Sequence, residues 1–72
     1  MKTYGEKAVG LTFNTTNSDD VHKCKLMFAQ TIDQMNELRE KSTDQEVKRM
    51  TSIAITKAQE AQMWAVKALT WK

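Results

Sequence analysis

Few side chains in this sequence have the types and spacing that chemistry requires. His22 and Cys24 are its single histidine and single cysteine. Two residues apart on a helix, they point about 200° away from each other. They cannot jointly ligate an ion or act as a nucleophile–base pair while that helix persists. One thiol also excludes an internal disulfide and the multi-thiolate zinc sites, so no metal and no cofactor is expected. Both side chains read as structural or surface residues. The carboxylate pairs Asp33 with Glu37 and Glu37 with Glu40 share a polar helix face with Lys and Arg. A solvated face offers none of the burial that raises a carboxyl pKa for acid–base work. There is no glycine-rich phosphate loop, no Gly-x-Ser-x-Gly and no Cys-x-x-Cys. With those parts missing, the chain is expected to bind and not to catalyse.

Three residues suggest ligand binding, each with a structural alternative. Phe13 lies in a polar arm ahead of the first helix, where an aromatic either staples the arm to the helices or stacks on a base. Lys25 stands near the start of that helix and can meet a phosphate oxygen or remain solvated. Arg49, beside Lys48 and one turn into the second helix, offers a planar fork to a phosphate or base edge, or an ion pair to Glu46 or Asp44. Trp64 and Trp71 read as packing residues, with Trp71 placed to cover a pocket's edge.

These residues must be positioned by a single small domain of 72 residues without proline. Residues 1–17 read as an irregular arm holding both glycines, Gly5 and Gly10. Within it Ala8–Phe13 is apolar, poor in helix formers and expected to be extended. A first helix is predicted over about residues 18–41, capped by Asn17 or Ser18, with Asp19 and Asp20 suiting its dipole. Val21, Cys24, Phe28, Thr31, Met35 and Leu38, widened by Ile32, form its heptad-like face; Lys23, Gln30, Asp33, Glu37 and Arg39 form its polar side. Thr43 and Glu46 have the spacing of a capping box, so a second helix is predicted over about residues 44–70. The short link between them makes the pair antiparallel neighbours: an all-α, two-helix hairpin.

The second helix carries more apolar surface than one partner can cover. Val47, Ala54, Ala58, Ala61, Ala65 and Ala68 make a seam of small residues for a closely packed helix. Ile53, Ile55, Met63, Trp64, Val66, Leu69 and Trp71 project around the remaining circumference. A helix apolar on several faces is buried on several faces, so the chain is expected to assemble into a homo-oligomer. Eleven basic against nine acidic residues leave a net charge of +2, too even for the dense basic stripe of a duplex binder. No long nucleic acid is therefore expected as a partner, although Lys48, Arg49 and Lys57 offer a weaker, nucleic-acid-binding alternative. No stretch approaches the ~20 apolar residues of a membrane span, and no apolar run of signal-peptide length follows the N-terminus. A cytosolic location is expected.

The second helix, from Glu46 to Ala68, resembles the phage type 2 anti-CBASS proteins, which share a helical-hairpin domain with an anti-Thoeris sponge. Arg49, Ser52, Ile53, Thr56 and Gln59 stand at matching spacing, followed by Met63-Trp64-Ala65-Val66-Lys67-Ala68. The similarity extends through the first helix to the Phe13 arm, about 55 of the 72 residues, most of a domain this small. It implies a compact homohexamer that sequesters cyclic oligonucleotide second messengers in the cytoplasm of the infected bacterium without cleaving them. It further implies that Phe13, at a position the family commonly fills with Tyr, stacks on a base of a cyclic dinucleotide. Lys25 would contact that ligand's phosphate, and Arg49 would serve a second site for cyclic trinucleotides. The rival from another class is a helical-hairpin adaptor or inhibitor that binds a protein through the apolar face of the second helix.

Overall fold

The computed structural model describes residues 1–11 and 19–72, and its elements are α1 (Tyr4–Ala8), α2 (Asp19–Lys41) and α3 (Gln45–Leu69). Phe13 and the expected cap at Asn17 or Ser18 lie outside the described residues.

The arm is not irregular throughout, as residues 4–8 are helical. Thr3 accepts the backbone N–H of Glu6 at 3.1 Å, and the Glu6 carboxylate accepts the N–H of Thr3 at 2.8 Å, a complete capping box. At the other end Leu11 N–H donates to the carbonyl of Glu6 and Gly10 N–H to that of Lys7. This Schellman closure requires a left-handed residue, which Gly10 supplies at φ +65°. Residues 8–11 are thus a helix end and a turn, and not an extended run.

The hairpin reverses through Ser42, Thr43 and Asp44. Contrary to the expected Thr43 box, Asp44 caps α3 by accepting Glu46 N–H at 2.9 Å, and the Glu46 carboxylate turns to Arg49 instead. Ser42 takes the N–H of Asp44 at 3.0 Å. Beyond the turn, Lys48 donates to the carbonyl of Arg39 at 3.0 Å and so closes the C-terminus of α2. The Arg39 guanidinium donates to Ser52 at 3.1 Å, which ties the two antiparallel helices together.

The core is formed by Val9, Leu11, Ala29, Ile32 and Ile55, with Leu26, Phe28, Met35 and Ala58 packed around it. Leu11 at 1% exposure and Ile32 at 0% are its largest sealed side chains. The turn that closes α1 and the two long helices therefore share one small core. The two helical faces are rotated from those expected. On α2, Ala29 and Ile32 are the buried centre while Thr31 and Leu38 are exposed, because α2 must face both α1 and α3. On α3 the buried line is Thr51, Ile55 and Gln62; Ala61 and Ala68 are exposed, and Ile55, expected off the seam, is in the core. Thr51 tolerates this because its hydroxyl donates to the carbonyls of Val47 and Lys48.

α1 crosses α2 at very close range. A β-carbon on Gly5 would stand 2.0 Å from the carbonyl oxygen of Ala29, so only glycine fits. Asp33 accepts the N–H of Gly5 at 2.7 Å, capping α1 from a different helix. Asp33 is therefore half-buried, and it is not the solvated carboxylate expected of the polar face. Arg39, assigned to the same face, is half-buried with its guanidinium 5.4 Å from the centre of the Tyr4 ring.

Candidate functional site

Of the three candidate ligand residues, two lie among the described residues. Lys25 is half-buried, and its ammonium donates to the Gly10 carbonyl at 3.4 Å, a long contact that points it at the turn closing α1. Arg49 is exposed and lays its fork on Glu46, with Nε donating at 3.1 Å and a second guanidinium nitrogen bonding the other carboxylate oxygen. That pairing holds the Glu46 carboxyl below its ordinary range and lifts the Arg49 guanidinium, with burial opposing both shifts slightly. Arg49 also borders a shallow groove of about 370 Å³ with Ser52, Ile53, Thr56 and Lys57. One helix face thus presents a cation, hydroxyls and an apolar floor, a set suited to an anionic ligand with flat faces.

Lys25 and Arg49 are not brought together within one chain. Arg39 bonds Ser52, less than one turn from Arg49, and Lys25 lies fourteen positions earlier on α2. At 1.5 Å per residue this separates them by roughly 20 Å. They serve different places, or meet only across different copies.

Some functional candidates had weak signals in the sequence. Gln59 donates to the Ala8 carbonyl at 3.1 Å, clasping the end of α1 to α3. Beside it, Lys7, Gly10, Gln62 and Met63 help line an open groove of about 640 Å³ between α1 and α3. Gln62, a polar residue in the register Thr51–Ile55–Gln62, was the only hint of that groove. Near the C-terminus, the Lys67 ammonium stands 5.5 Å from the Trp64 ring centre and 5.8 Å from that of Trp71, around a groove of about 320 Å³. Trp64 and Trp71 are 66% and 74% exposed, so within one chain they do not act as packing residues. His22 and Cys24 are both half-buried on α2. Among the described residues no three His, Cys, Asp or Glu side chains gather to hold a metal.

Residues 6–70 match the family model described as Acb2/Tad1, hairpin domain. The chain belongs to this family. The matched span opens inside α1 and closes at Thr70, the C-cap of α3, so the Acb2/Tad1 hairpin domain includes the Gly10 turn and both long helices. Comparisons with curated proteins and with solved structures gave no match. Among the described residues of this Acb2/Tad1 hairpin, no helix is long and apolar enough to cross a membrane.

Proposed function

We propose that this chain is a phage-encoded sponge that binds and sequesters cyclic oligonucleotide second messengers in the infected bacterial cytoplasm, without cleaving them, and so blocks antiviral signalling. The observation that carries the reading is the Acb2/Tad1 hairpin match over residues 6–70. The working form is a homo-oligomer, a hexamer by resemblance. Phe13 and Lys25 form the cyclic dinucleotide site, one stacking on a base and the other meeting a phosphate. Arg49 forms a separate site for cyclic trinucleotides. The chemistry is consistent with this division. Stacking contributes roughly 1–3 kcal/mol per base, and a few charge-assisted hydrogen bonds suffice for two or three phosphates. A chain of net charge +2 can supply that number of cations, whereas a duplex requires many more.

The deciding experiment is calorimetry across a panel of cyclic di- and trinucleotides, followed by heat denaturation of the complex and analysis of the released ligand. Sequestration predicts tight binding and recovery of unmodified nucleotide; silence across the panel would sink it. Lys25→Ala should weaken dinucleotide binding and Arg49→Ala trinucleotide binding, each by tenfold or more, with oligomer mass unchanged. A second reading, a hairpin adaptor that binds a protein, is favoured by the exposed Trp64 and Leu69 on α3 and by Trp71 just beyond it. It predicts a monomeric free chain that ignores the nucleotide panel.

A further inference from the structure

The groove between α1 and α3 contains a polar group that the folded chain does not use. Gln62 is only 6% exposed, yet its carboxamide has no hydrogen-bond partner among the described residues. No side-chain polar atom among them is sealed away unpartnered, so the amide keeps its access to solvent through the groove it lines. A buried amide is ordinarily paired, and one held unpaired at the wall of an open groove is available to a ligand. Its surroundings narrow the ligand. Gln59 is anchored to the Ala8 carbonyl and fixes one wall, the exposed Met63 offers an apolar surface for a flat ring, and Lys7 brings an ammonium and Glu60 a carboxylate to the lining, so a bound phosphate must sit on the Lys7 side. At about 640 Å³ the groove accommodates a nucleotide-sized molecule.

We propose that this groove is a base-reading site, in which the Gln62 carboxamide pairs with the edge of an adenine while Lys7 meets the attached phosphate. A carboxamide presents one donor beside one acceptor, and adenine presents the complementary pair on each of its two exposed edges. The groove adjoins both other sites, since Gly10 in its lining accepts the Lys25 ammonium and Thr56 lines it and the Arg49 groove alike, and it supplies base preference where those cations supply charge. It deepens the sponge reading and rests on it for the nucleotide class of the ligand.

The test compares the wild-type chain with Gln62→Met, which keeps length and loses the amide, by calorimetry against 3′,3′-cyclic di-AMP and its counterpart lacking the 6-amino groups. Light scattering and circular dichroism check each protein's assembly and fold. Wild type should prefer the amino-bearing ligand by about tenfold or more, the discrimination expected of one bidentate base contact, and Gln62→Met should lose the preference with mass and helicity unchanged. An unchanged preference in the variant overturns the proposal. So does a change in oligomer mass, which would assign the amide to an interface between copies. If the wild type binds no cyclic dinucleotide, the groove is judged with adenosine 5′-monophosphate, and the sponge reading itself fails only if cyclic trinucleotides are silent too. A shift of the Gln62 side-chain NH₂ resonances that the 6-desamino analogue does not produce would support the site, and no shift would overturn it.

Discussion

At Arg49 a structural contact competes with the proposed binding role. Its guanidinium is engaged by Glu46 on the surface of α3, so an incoming phosphate must displace a carboxylate before it can use the full fork. The carboxyl of Glu46 titrates below its ordinary value because the guanidinium stabilises its charged form. A carboxyl depressed in the folded state adds stability above its unfolded pKa and loses it as pH falls through the folded one. The ion pair therefore helps at neutral pH and is lost in acid, and solvent exposure with salt screening keeps its contribution small. Carboxyl-detected NMR should find Glu46 titrating below its ordinary value in the wild type and moving back up towards it in Arg49→Ala. Glu46→Gln releases the fork, so binding of an anionic ligand at Arg49 should strengthen several-fold; weakening would show that the carboxylate orients the arginine instead of occupying it.

The element that decides the arm's geometry is α1, held at both ends by the hairpin. Asp33 takes the N–H of Gly5, Gln59 donates to the carbonyl of Ala8, and Gly5 lets the α1 backbone lie on that of Ala29. Gly5→Ala places a methyl against a carbonyl that cannot yield, so α1 should undock and expose Val9 and Leu11. At about 1.5–3 kcal/mol per buried side chain this costs roughly 3–6 kcal/mol, a large share of what 72 residues can hold. Urea denaturation with hydrogen exchange at Leu11 would read it, and an unchanged midpoint would refute the close crossing. Asp33→Ala should cost about 1–2 kcal/mol and speed exchange at Gly5, the usual loss of a helix N-cap. The long helices were legible because the apolar period, the Asp and Glu near α3's start and the short link all act locally. In α1 the Thr3-x-x-Glu6 box and Gly10 were also present, in the same form recognised at Thr43, yet five residues without periodicity gave them no helix to terminate. Asp33 was illegible for a different reason. A carboxylate among lysines reads as solvated, and only the third element, crossing from 28 positions away, makes it a cap. The rotation of the buried line on α3 to Ile55 has the same origin, because periodicity finds a stripe but not which neighbour it meets.

At the scale of the whole molecule, thinness matters more than size. The chain measures 43 × 26 × 12 Å, and its shortest dimension is close to the diameter of one helix with its side chains. A single layer of helices covers each of them from the sides only. That leaves Met50, Ile53, Met63, Trp64 and Leu69 exposed along α3, Trp71 just beyond its end, and Met27 and Leu38 along α2. Among the described residues five form the buried apolar core, whereas soluble monomers rarely leave so many large apolar groups on one element. The expected remedy is other copies of the chain, and the exposed Met50, Ile53, Trp64 and Leu69 of α3 are where they should dock. Light scattering at micromolar concentration should give a mass several times 8.3 kDa, and the melting temperature should rise with protein concentration, since association stabilises only the folded form. Ile53→Lys and Trp64→Lys replace exposed side chains, so each should leave single-chain helicity intact and lower the assembled mass. A wild-type chain that scatters as a folded monomer would leave this surface to a different protein. In that case Trp64→Lys should raise solubility and leave the melting temperature independent of concentration.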